Sequence, residues 1–261
     1  MTSTMRRVLP DKVPVVGLPV SATSDSEVLG LVGAPPSDRA LVVAFCNVHS
    51  AMSARRDPEL AAILAEADIA APDGMPLAWG LRALLGRDQP RVYGPRFMRL
   101  ALQHGVSRQW RHYFYGATAE TLAELRAAAE SFAPGVWIVG CHAPPFRTLT
   151  PEEDAEDAAR IAASGADLVW VGLGMPKQER WMAKMRGQLP GVTLLGVGAA
   201  FDLLSGRIPE APEWMRRRGL EWLFRLSREP RRLWRRYLWN NPAYLVLLGL
   251  QVIVAQGRAL R

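Results

Sequence analysis

The feature that most constrains the fold of this chain is a regular alternation of short apolar runs with longer segments of helical character. The apolar runs are rich in Val, Ile, Leu and aromatic residues, as buried strands are. Because strands that alternate with helices pair in parallel and are covered on both faces, the pattern predicts an α/β domain with a mainly parallel sheet. The predicted strands are Val13–Leu18, Ala40–Cys46, Ile69–Ala71, His112–Gly116, Val136–Gly140, Leu168–Gly172 and Thr193–Val197.

Helices are predicted between these strands from the helical spacing of Ala, Leu, Glu and Arg. Thr118 and Thr150 have the character of N-cap residues, and a proline follows Thr150 at the first helical position. The predicted helices are Pro58–Ala67, Met75–Leu85, Pro95–Gly105, Thr118–Phe132, Pro151–Ser164 and Pro176–Gln188. In such a fold, ligands bind beyond the carboxyl ends of the strands.

The composition changes near Gly206, which predicts an α/β domain over residues 1–206 and a helical C-terminal appendage over residues 207–261. The appendage holds twelve arginines and four acidic residues, a net charge of +8, whereas the whole chain carries +7. Its predicted helices are Ala211–Leu226, Pro230–Trp239 and Asn241–Gln256. A basic, Trp-rich appendage on a near-neutral body indicates an anionic partner: a phosphate ligand, an anionic membrane or a nucleic acid.

No signal peptide and no membrane-spanning helix are predicted. Residues 1–20 lack a long apolar run and a small-residue cleavage site. The longest apolar stretch, Pro242–Ala255, is shorter than the ~20 residues that cross a bilayer. Cys46 and Cys141 show no CxxC spacing and are predicted to be free thiols in a reducing compartment. We therefore expect a cytoplasmic protein whose appendage suits a membrane interface.

Polar or glycine-rich segments follow the predicted strands, at the edge where ligands bind. An Asp before Gly, such as Asp73, is by itself better explained as a turn residue or an N-cap. The pairs Gly172/Gly174 and Gly196/Gly198 could let backbone amides approach a phosphate. The segments are Asn47-Val-His-Ser, Pro72-Asp-Gly-Met-Pro, Gly172-Leu-Gly-Met-Pro-Lys-Gln-Glu and Gly196-Val-Gly-Ala-Ala-Phe-Asp.

Two kinds of site are disfavoured by these segments. Neither glycine pair completes the GxGxxG fingerprint, because Phe201 stands at the last place of the second one, and a nucleotide-dependent oxidoreductase is therefore poorly supported. The chain contains no Asp-x-Asp pair, and His49 and His142 have no partners at metal-ligand spacing. No metal site and no cofactor are predicted.

Taken together and in order, the motifs resemble the WecG/TagA/CpsF glycosyltransferase family over roughly Val13 to Leu238. The resemblance rests on PDGMP, VGLGMPKQERW, GVGAAFDLLSG and GLEWLFRLSREPRRLWRRYL, with NVHSAMSARRDPEL nearer the N-terminus. It implies a Rossmann-like sheet and an inverting, metal-independent transfer of a sugar, often N-acetylmannosamine. The donor would be a UDP-sugar and the acceptor a prenyl-diphosphate-linked sugar at the inner face of the cytoplasmic membrane, in cell-surface polysaccharide synthesis.

The resemblance also implies roles for individual residues. Asp73 is the candidate general base, Asn47 lines its pocket, and Gln178 contacts the donor or the acceptor. The appendage is expected to supply catalytic arginines. The candidates are Arg225, Arg228, Arg231, Arg232, Arg235 and Arg236, and the three expected to be catalytic are Arg225, Arg232 and Arg235. The other expected substrate-binding residues are Gly172, Gly174, Lys177, Glu179, Gly196, Gly198 and Asp202.

The chain departs from the family at one point, where Glu210-Ala211-Pro212 stands in place of the usual Arg-Ala-Pro. If that arginine normally touches phosphate, Arg207 is a candidate to replace it, or the donor differs. The competing hypothesis is a nucleic-acid-binding protein that uses the basic appendage. It is disfavoured because the arginines are interleaved with an apolar helix and no nucleic-acid motif is present. A homo-oligomer is possible.

Overall fold

The computed structural model describes residues 8–259, without the side chains of Arg236, Arg258 and Ala259. Within this range a six-stranded sheet has the order β4-β3-β8-β7-β5-β6, and all its neighbouring strands are parallel. A separate two-stranded sheet joins β1 to β2. The strands are β1 (Lys12–Val15), β2 (Leu18–Ser21), β3 (Leu41–Cys46), β4 (Ile69–Pro72), β5 (Arg111–Gly116), β6 (Trp137–His142), β7 (Leu168–Gly172) and β8 (Thr193–Gly196). The predicted α/β fold is confirmed.

Helices cover both faces of the parallel sheet, and each layer forms its own apolar core. One layer contains α1 (Asp25–Val32), α5 (Gly94–Arg108), α6 (Ala119–Phe132) and α9 (Ala200–Leu204). The other contains α2 (Val48–Ala54), α3 (Pro58–Glu66), α4 (Met75–Leu85), α7 (Pro151–Ser164), α8 (Lys177–Met185) and α12 (Pro230–Ala259). Because β3 lies between these layers, all six of its residues are buried, as expected for a central parallel strand.

Local sequence signals set the ends of several helices. The Thr150 hydroxyl accepts a hydrogen bond from the Glu153 N–H, and the Glu153 carboxylate accepts one from the Thr150 N–H, so the two form a capping box at α7. Gly165, in the left-handed conformation, ends the same helix. The N-cap roles predicted for Thr118 and Thr150 are confirmed.

The predicted strand Val13–Leu18 is wrong. The segment instead forms an antiparallel hairpin of β1 and β2, joined by a turn in which Val16 and Gly17 have φ of 52° and 85°. Two-residue hairpin turns of this kind need positive φ at both central positions, so Gly17 was the available signal. The turn was not predicted because the apolar run continues through Val16, which is itself buried.

The appendage also differs from its predicted helices. The single helix expected over Ala211–Leu226 is two, α10 (Glu213–Arg217) and α11 (Glu221–Arg228), because Gly219 adopts a φ of 72°. The two helices expected on either side of Asn240 are one continuous α12, with Pro242 inside it. Asn240 does not end the helix because its side chain is buried and accepts a hydrogen bond from Arg56 at 2.7 Å.

Helix α12 packs on the α/β domain along one face. The Tyr244 hydroxyl donates to the Pro76 carbonyl at 3.0 Å, and Leu233 and Leu248 of the same helix are also buried. The opposite face exposes Leu238, Trp239, Leu245, Val246, Leu250, Ile253 and Val254. In the described range, Pro230–Gly257 is the one helix long and apolar enough to cross a membrane by length and composition. Since the helix also docks on the domain, that criterion alone is weak evidence for a membrane span. The division at residue 206 stays a prediction.

Candidate active site

A cleft of about 520 Å³ opens at the carboxyl ends of the parallel strands. Its floor comes from the segments that follow β3, β4, β7 and β8, and α11 and α12 of the appendage form one wall. Most of the residues expected at the site from sequence line this cleft, so the topology brings them together. They are Asn47, Asp73, Gly172, Gly174, Gln178, Glu179, Gly196, Gly198, Asp202, Arg225 and Arg232.

Asp73 follows β4 and is held by backbone contacts on both sides. Its own N–H donates to the Cys46 carbonyl at 2.8 Å, which ties it to the end of β3. Its Oδ1 accepts a hydrogen bond from the Gly94 N–H at 2.8 Å. Burial raises the pKa of the Asp73 carboxyl, while Arg91 opposes that rise. A carboxylate with a fixed orientation and a raised pKa is suited to accept a proton.

Asn47 is the N-cap of α2 and lies next to the segment that contains Asp73. Its Oδ1 accepts hydrogen bonds from the N–H groups of His49 at 2.9 Å and Ser50 at 3.4 Å. A Cβ on Gly74 would stand only 3.1 Å from the Asn47 Cβ, so glycine permits this close approach. The carbonyl oxygen of the Asn47 side chain therefore holds the helix start in place.

The two glycine pairs lie at the carboxyl ends of β7 and β8, which are neighbours in the sheet. Gly172 lies against the Phe201 ring, where a Cβ would come within 2.5 Å of a ring carbon. Gly174 has a φ of 74° and open space around its Cβ position. This stretch of backbone is therefore accessible to a ligand in the cleft, as phosphate-binding segments are.

Gln178 and Glu179 are both buried at the start of α8, beneath the β8 end of the cleft. Gln178 Nε2 donates to the Gly196 carbonyl and to Glu179 Oε1, each at 3.0 Å. Gln178 Oε1 and Glu179 Oε2 have no hydrogen-bond partner among the described residues. Burial raises the pKa of Glu179 to about 7, so this carboxyl is partly protonated near neutral pH.

Helix α11 places an acidic and a basic residue one turn apart on the face that meets the cleft. Glu221 pairs with Arg91 at 2.8 Å and accepts a hydrogen bond from the Tyr93 hydroxyl at 3.3 Å. Arg225 lines the cleft, and its buried Nε has no hydrogen-bond partner among the described residues. The half-buried Arg225 guanidinium therefore has hydrogen-bond capacity left for an anion in the cleft.

Arg232 and Asp202 both line the cleft. Arg232, at the start of α12, is 62% exposed and pairs with Glu229 at 2.7 Å. Burial raises the pKa of Asp202, and Arg232 and Arg207 oppose that rise. Arg225 also lowers the pKa of Asp202, whereas Glu229 raises it, so arginines and a carboxylate of the appendage both act on Asp202.

A smaller cavity of about 100 Å³ shares part of its lining with the cleft, including Asp73. Asn47, His49, Asp73, Arg91 and Arg225 belong to it, and the first three with Arg225 also line the main cleft. Its outer wall is the appendage, through Gly219, Glu221, Trp222, Tyr237, Asn240 and Asn241. Asp73 therefore stands at the boundary of two spaces, one of which exists only because the appendage is docked.

Some expected residues lie elsewhere. Lys177 is exposed and lines neither space, whereas Gln178 and Glu179, the next residues on α8, are buried. Arg235 lies over the Trp234 ring at 5.2 Å, outside both spaces. Arg228 and Arg231 also lie outside the lining, and the side chain of Arg236 is not among the described ones.

The substituted Arg-Ala-Pro position forms its own ion pairs. Glu210 pairs with Arg216 at 2.9 Å and contacts Arg99 at 3.7 Å. Arg207 pairs with Glu124 and does not line the cleft, so its position does not support the suggested replacement of the family arginine.

Several lining residues were missed from sequence. Arg91 and Tyr93 precede α5 and gave no motif signal, and Glu221 was counted only as a charge. Phe146 is 77% exposed and lines the cleft. The available signal for Phe146 was an aromatic residue in a proline-rich turn directly after a strand, at the ligand-binding edge.

The charged groups of the site are arginines and isolated carboxylates. Over residues 8–259, no group of three or more His, Cys, Asp or Glu side chains is arranged to hold a metal ion. The arrangement can accept a proton at Asp73 and bind anionic oxygens at Arg225, Arg232 and exposed backbone amides. Proton removal beside an anion-binding wall is the chemistry of group transfer with an anionic leaving group.

Comparison with known proteins agrees with this chemistry. A protein of Bacillus spizizenii strain W23 is 32% identical over 204 residues, which cover 78% of this chain and 76% of the relative. A protein of Bacillus subtilis strain 168 is 30% identical over 203 residues, 78% of this chain and 77% of the relative. Both are named N-acetylglucosaminyldiphosphoundecaprenol N-acetyl-beta-D-mannosaminyltransferase. The sequence profile of the glycosyl transferase WecG/TagA/CpsF family matches residues 13–258. This protein is therefore a glycosyltransferase, and it belongs to the WecG/TagA/CpsF family.

Proposed function

We propose that this glycosyltransferase moves N-acetylmannosamine from a UDP-sugar to N-acetylglucosamine linked to undecaprenyl diphosphate, with inversion and without a metal ion. The donor sugar and the acceptor are those in the names of the two relatives. The observation that carries the proposal is the place of Asp73 between two adjoining spaces, with the unpaired Arg225 lining both. A transfer reaction needs such an arrangement, because donor and acceptor must meet at one base.

In this proposal Asp73 acts as the general base. Its carboxylate takes the proton of the acceptor hydroxyl as that oxygen attacks the anomeric carbon of the donor. The bond from the anomeric carbon to the diphosphate oxygen breaks on the opposite face, and its electron pair leaves with UDP. The new glycosidic bond therefore has the inverted configuration, and Asp73 ends the step protonated.

The leaving diphosphate gains negative charge, which cationic groups must stabilise. Arg225 and Arg232 line the cleft from the appendage, and the backbone at Gly174, with open space beside it, belongs to the same lining. Guanidinium groups bind phosphate oxygens through charge-assisted hydrogen bonds. The missing Asp-x-Asp pair and these arginines support a reaction that needs no divalent metal.

The proposed place of action is the inner surface of the cytoplasmic membrane. The outer face of α12 exposes a row of apolar side chains from Leu238 to Val254, next to the arginine-rich start of the helix. Apolar side chains beside basic ones suit the interface of an anionic membrane, where each basic residue adds about 1 kcal/mol of attraction. A lipid-linked acceptor would then meet the cleft at the membrane.

The test is a transfer assay on the full chain. The protein is incubated with a panel of UDP-sugars and a short-chain prenyl-diphosphate-linked N-acetylglucosamine, with and without EDTA, and the glycolipid is identified by mass and by the NMR configuration of its new bond. We expect transfer of N-acetylmannosamine, inversion and full activity in EDTA. A different sugar would refute the donor assignment. Loss of transfer in EDTA that Mg²⁺ restores would refute metal independence.

A further inference from the structure

The appendage meets the α/β domain at a partly enclosed ion pair beside the candidate base. The side chains of Arg91 and Glu221 are only 14% and 16% exposed, and their Nη2 and Oε2 atoms are 2.8 Å apart. The Arg91 guanidinium also lies 4.1 Å from the centre of the Tyr93 ring, and the Tyr93 hydroxyl donates to the other Glu221 oxygen. By contrast, the Arg217–Glu213 pair of the appendage is 77% and 65% exposed.

Arg91 connects this pair directly to Asp73. Its Nε donates to the Asp73 backbone carbonyl, while its Nη2 is bound by Glu221. The guanidinium therefore bridges the backbone of the candidate base and a helix of the appendage. One helical turn beyond Glu221 on the same face, Arg225 lines both the cleft and the smaller cavity.

We infer that Glu221 is a positioning residue for the transfer reaction: by holding Arg91, it fixes α11 so that Arg225 faces the Asp73 carboxylate, and it keeps the charge of Arg91 from that carboxylate. The inference rests on the proposed role of Asp73 as the base. Glu221 touches no reacting atom in this account. It acts through Arg91, Arg225 and Asp73.

The charges around Asp73 also support a positioning role for Glu221. Burial raises the pKa of Asp73; Arg91 and Arg225 lower it, and Glu221 raises it. Without the charge of Glu221, the positive charge of Arg91 acts on Asp73 unopposed. The titratable and charged groups that face Asp73 from the elements around it are Cys46, His49, Arg91, Tyr93, Glu221 and Arg225.

A positioning role for Glu221 differs from a purely structural role in its pH dependence. Asp73 is active as the carboxylate, so activity appears as the pH rises through its pKa. Removal of the negative charge of Glu221 lowers that pKa, and the acidic limb of the kcat profile moves to lower pH. The plateau also falls, since a weaker base accepts the proton less well and Arg225 is less well placed. A contact that only stabilised the fold would lower the amount of active protein without moving the limb.

The decisive variant is Glu221→Gln, which keeps the size of the side chain and removes its charge. Loss of the ion pair should lower kcat by about 10²-fold, as expected when a catalytic group is misplaced by about 1 Å. The acidic limb should shift to lower pH. Glu221→Asp keeps the charge and should restore part of kcat and the position of the limb. The matched control is Glu213→Gln, which breaks the exposed pair on α10 and should behave as the wild type.

A second measurement does not require turnover. Hydrogen–deuterium exchange of residues 221–228 should become faster in Glu221→Gln and remain unchanged in Glu213→Gln, because only the first variant loses the contact that fixes α11. Unchanged exchange would overturn the inference even if the protein transfers sugar as proposed. If the wild type transfers no sugar from any UDP-sugar, the proposed function fails, while faster exchange still supports the part of the inference that concerns α11.

The kinetic outcomes are equally direct. A normal kcat in Glu221→Gln would overturn the inference. A lower kcat with an acidic limb at its wild-type pH would make Glu221 a stability contact, and would overturn it as well. A lower kcat with a shifted limb and partial recovery in Glu221→Asp would support it.

Discussion

Replacement of Arg225 by Ala should lower activity without lowering stability, which is unusual for a residue with a buried group. The Arg225 side chain makes no hydrogen bond or close ion pair in the described part of the chain, and its Nε is buried without a partner. An unsatisfied buried polar group costs about 1–3 kcal/mol. Its removal should therefore leave the melting temperature unchanged or raise it.

The catalytic loss follows from the charge that Arg225 would stabilise. Removal of one preorganised donor to a developing anion lowers kcat by about 10²–10³-fold, or roughly 2.7–4 kcal/mol. We expect a loss of this size in Arg225→Ala, measured as initial rates of transfer to a water-soluble acceptor. A soluble acceptor separates this effect from membrane binding.

The matched control is Arg228→Ala on the same helix. Arg228 is exposed, lies 5.4 Å from the centre of the Phe224 ring and lines neither the cleft nor the smaller cavity. It should retain wild-type kcat with the soluble acceptor. Equal losses in the two variants, or a clear drop in melting temperature in Arg225→Ala, would show that α11 responds as a whole and that Arg225 has no particular role.

Three further outcomes are expected. Asp73→Asn should keep its fold and its affinity for UDP but lose about 10²–10⁴-fold in turnover, as when a general base is removed; near-normal turnover would remove Asp73 from the mechanism. Glu179→Gln should gain stability over the wild type as the pH rises from 5 to 8. Burial raises the pKa of Glu179 from 4.5 to about 7. Ionisation of Glu179 therefore lowers the unfolding free energy of the wild type by about 3 kcal/mol at high pH and not at low pH. A difference in unfolding free energy between the variant and the wild type that is constant with pH would contradict this. Phe146→Ala should weaken UDP binding about 5–150-fold, because stacking of the exposed ring on the uracil of UDP would contribute about 1–3 kcal/mol. An unchanged affinity for UDP in calorimetry would rule out such stacking.

The fold was predictable because apolar runs and helical spacing alternate so regularly. The parallel sheet then placed the motifs of distant segments at one edge, since the carboxyl ends of parallel strands meet there. Asn47 and Asp73 follow strands and Gly172 ends one, so the parallel topology alone predicts that they meet in one cleft. Hairpin β1–β2 was missed because an apolar run passes through its turn.

Sequence was a weaker guide wherever the direction of a side chain decides its role. Lys177 and Gln178 are neighbours in one motif, but consecutive positions on a helix point about 100° apart, so one is exposed and the other is buried. The family resemblance proposed both Arg232 and Arg235, but only Arg232 lines the cleft, because the way α12 docks decides which of its arginines reach the cleft. The Arg91–Glu221 pair joins residues 130 positions apart, which no local pattern could show.

The contact between α12 and hairpin β1–β2 has a consequence for folding. Gln251 accepts a hydrogen bond from the Val16 N–H across 235 residues of sequence, and Tyr244 and Leu248 belong to the same apolar core as Val15. A chain emerging from the ribosome can form the sheet early, but it cannot close this core until residues 244–251 have left the exit tunnel. Contacts of such sequence separation form late because loop closure opposes them. Until then the nascent domain exposes the apolar residues of this core. Such exposure favours aggregation, so we expect chaperones to bind the chain during its synthesis.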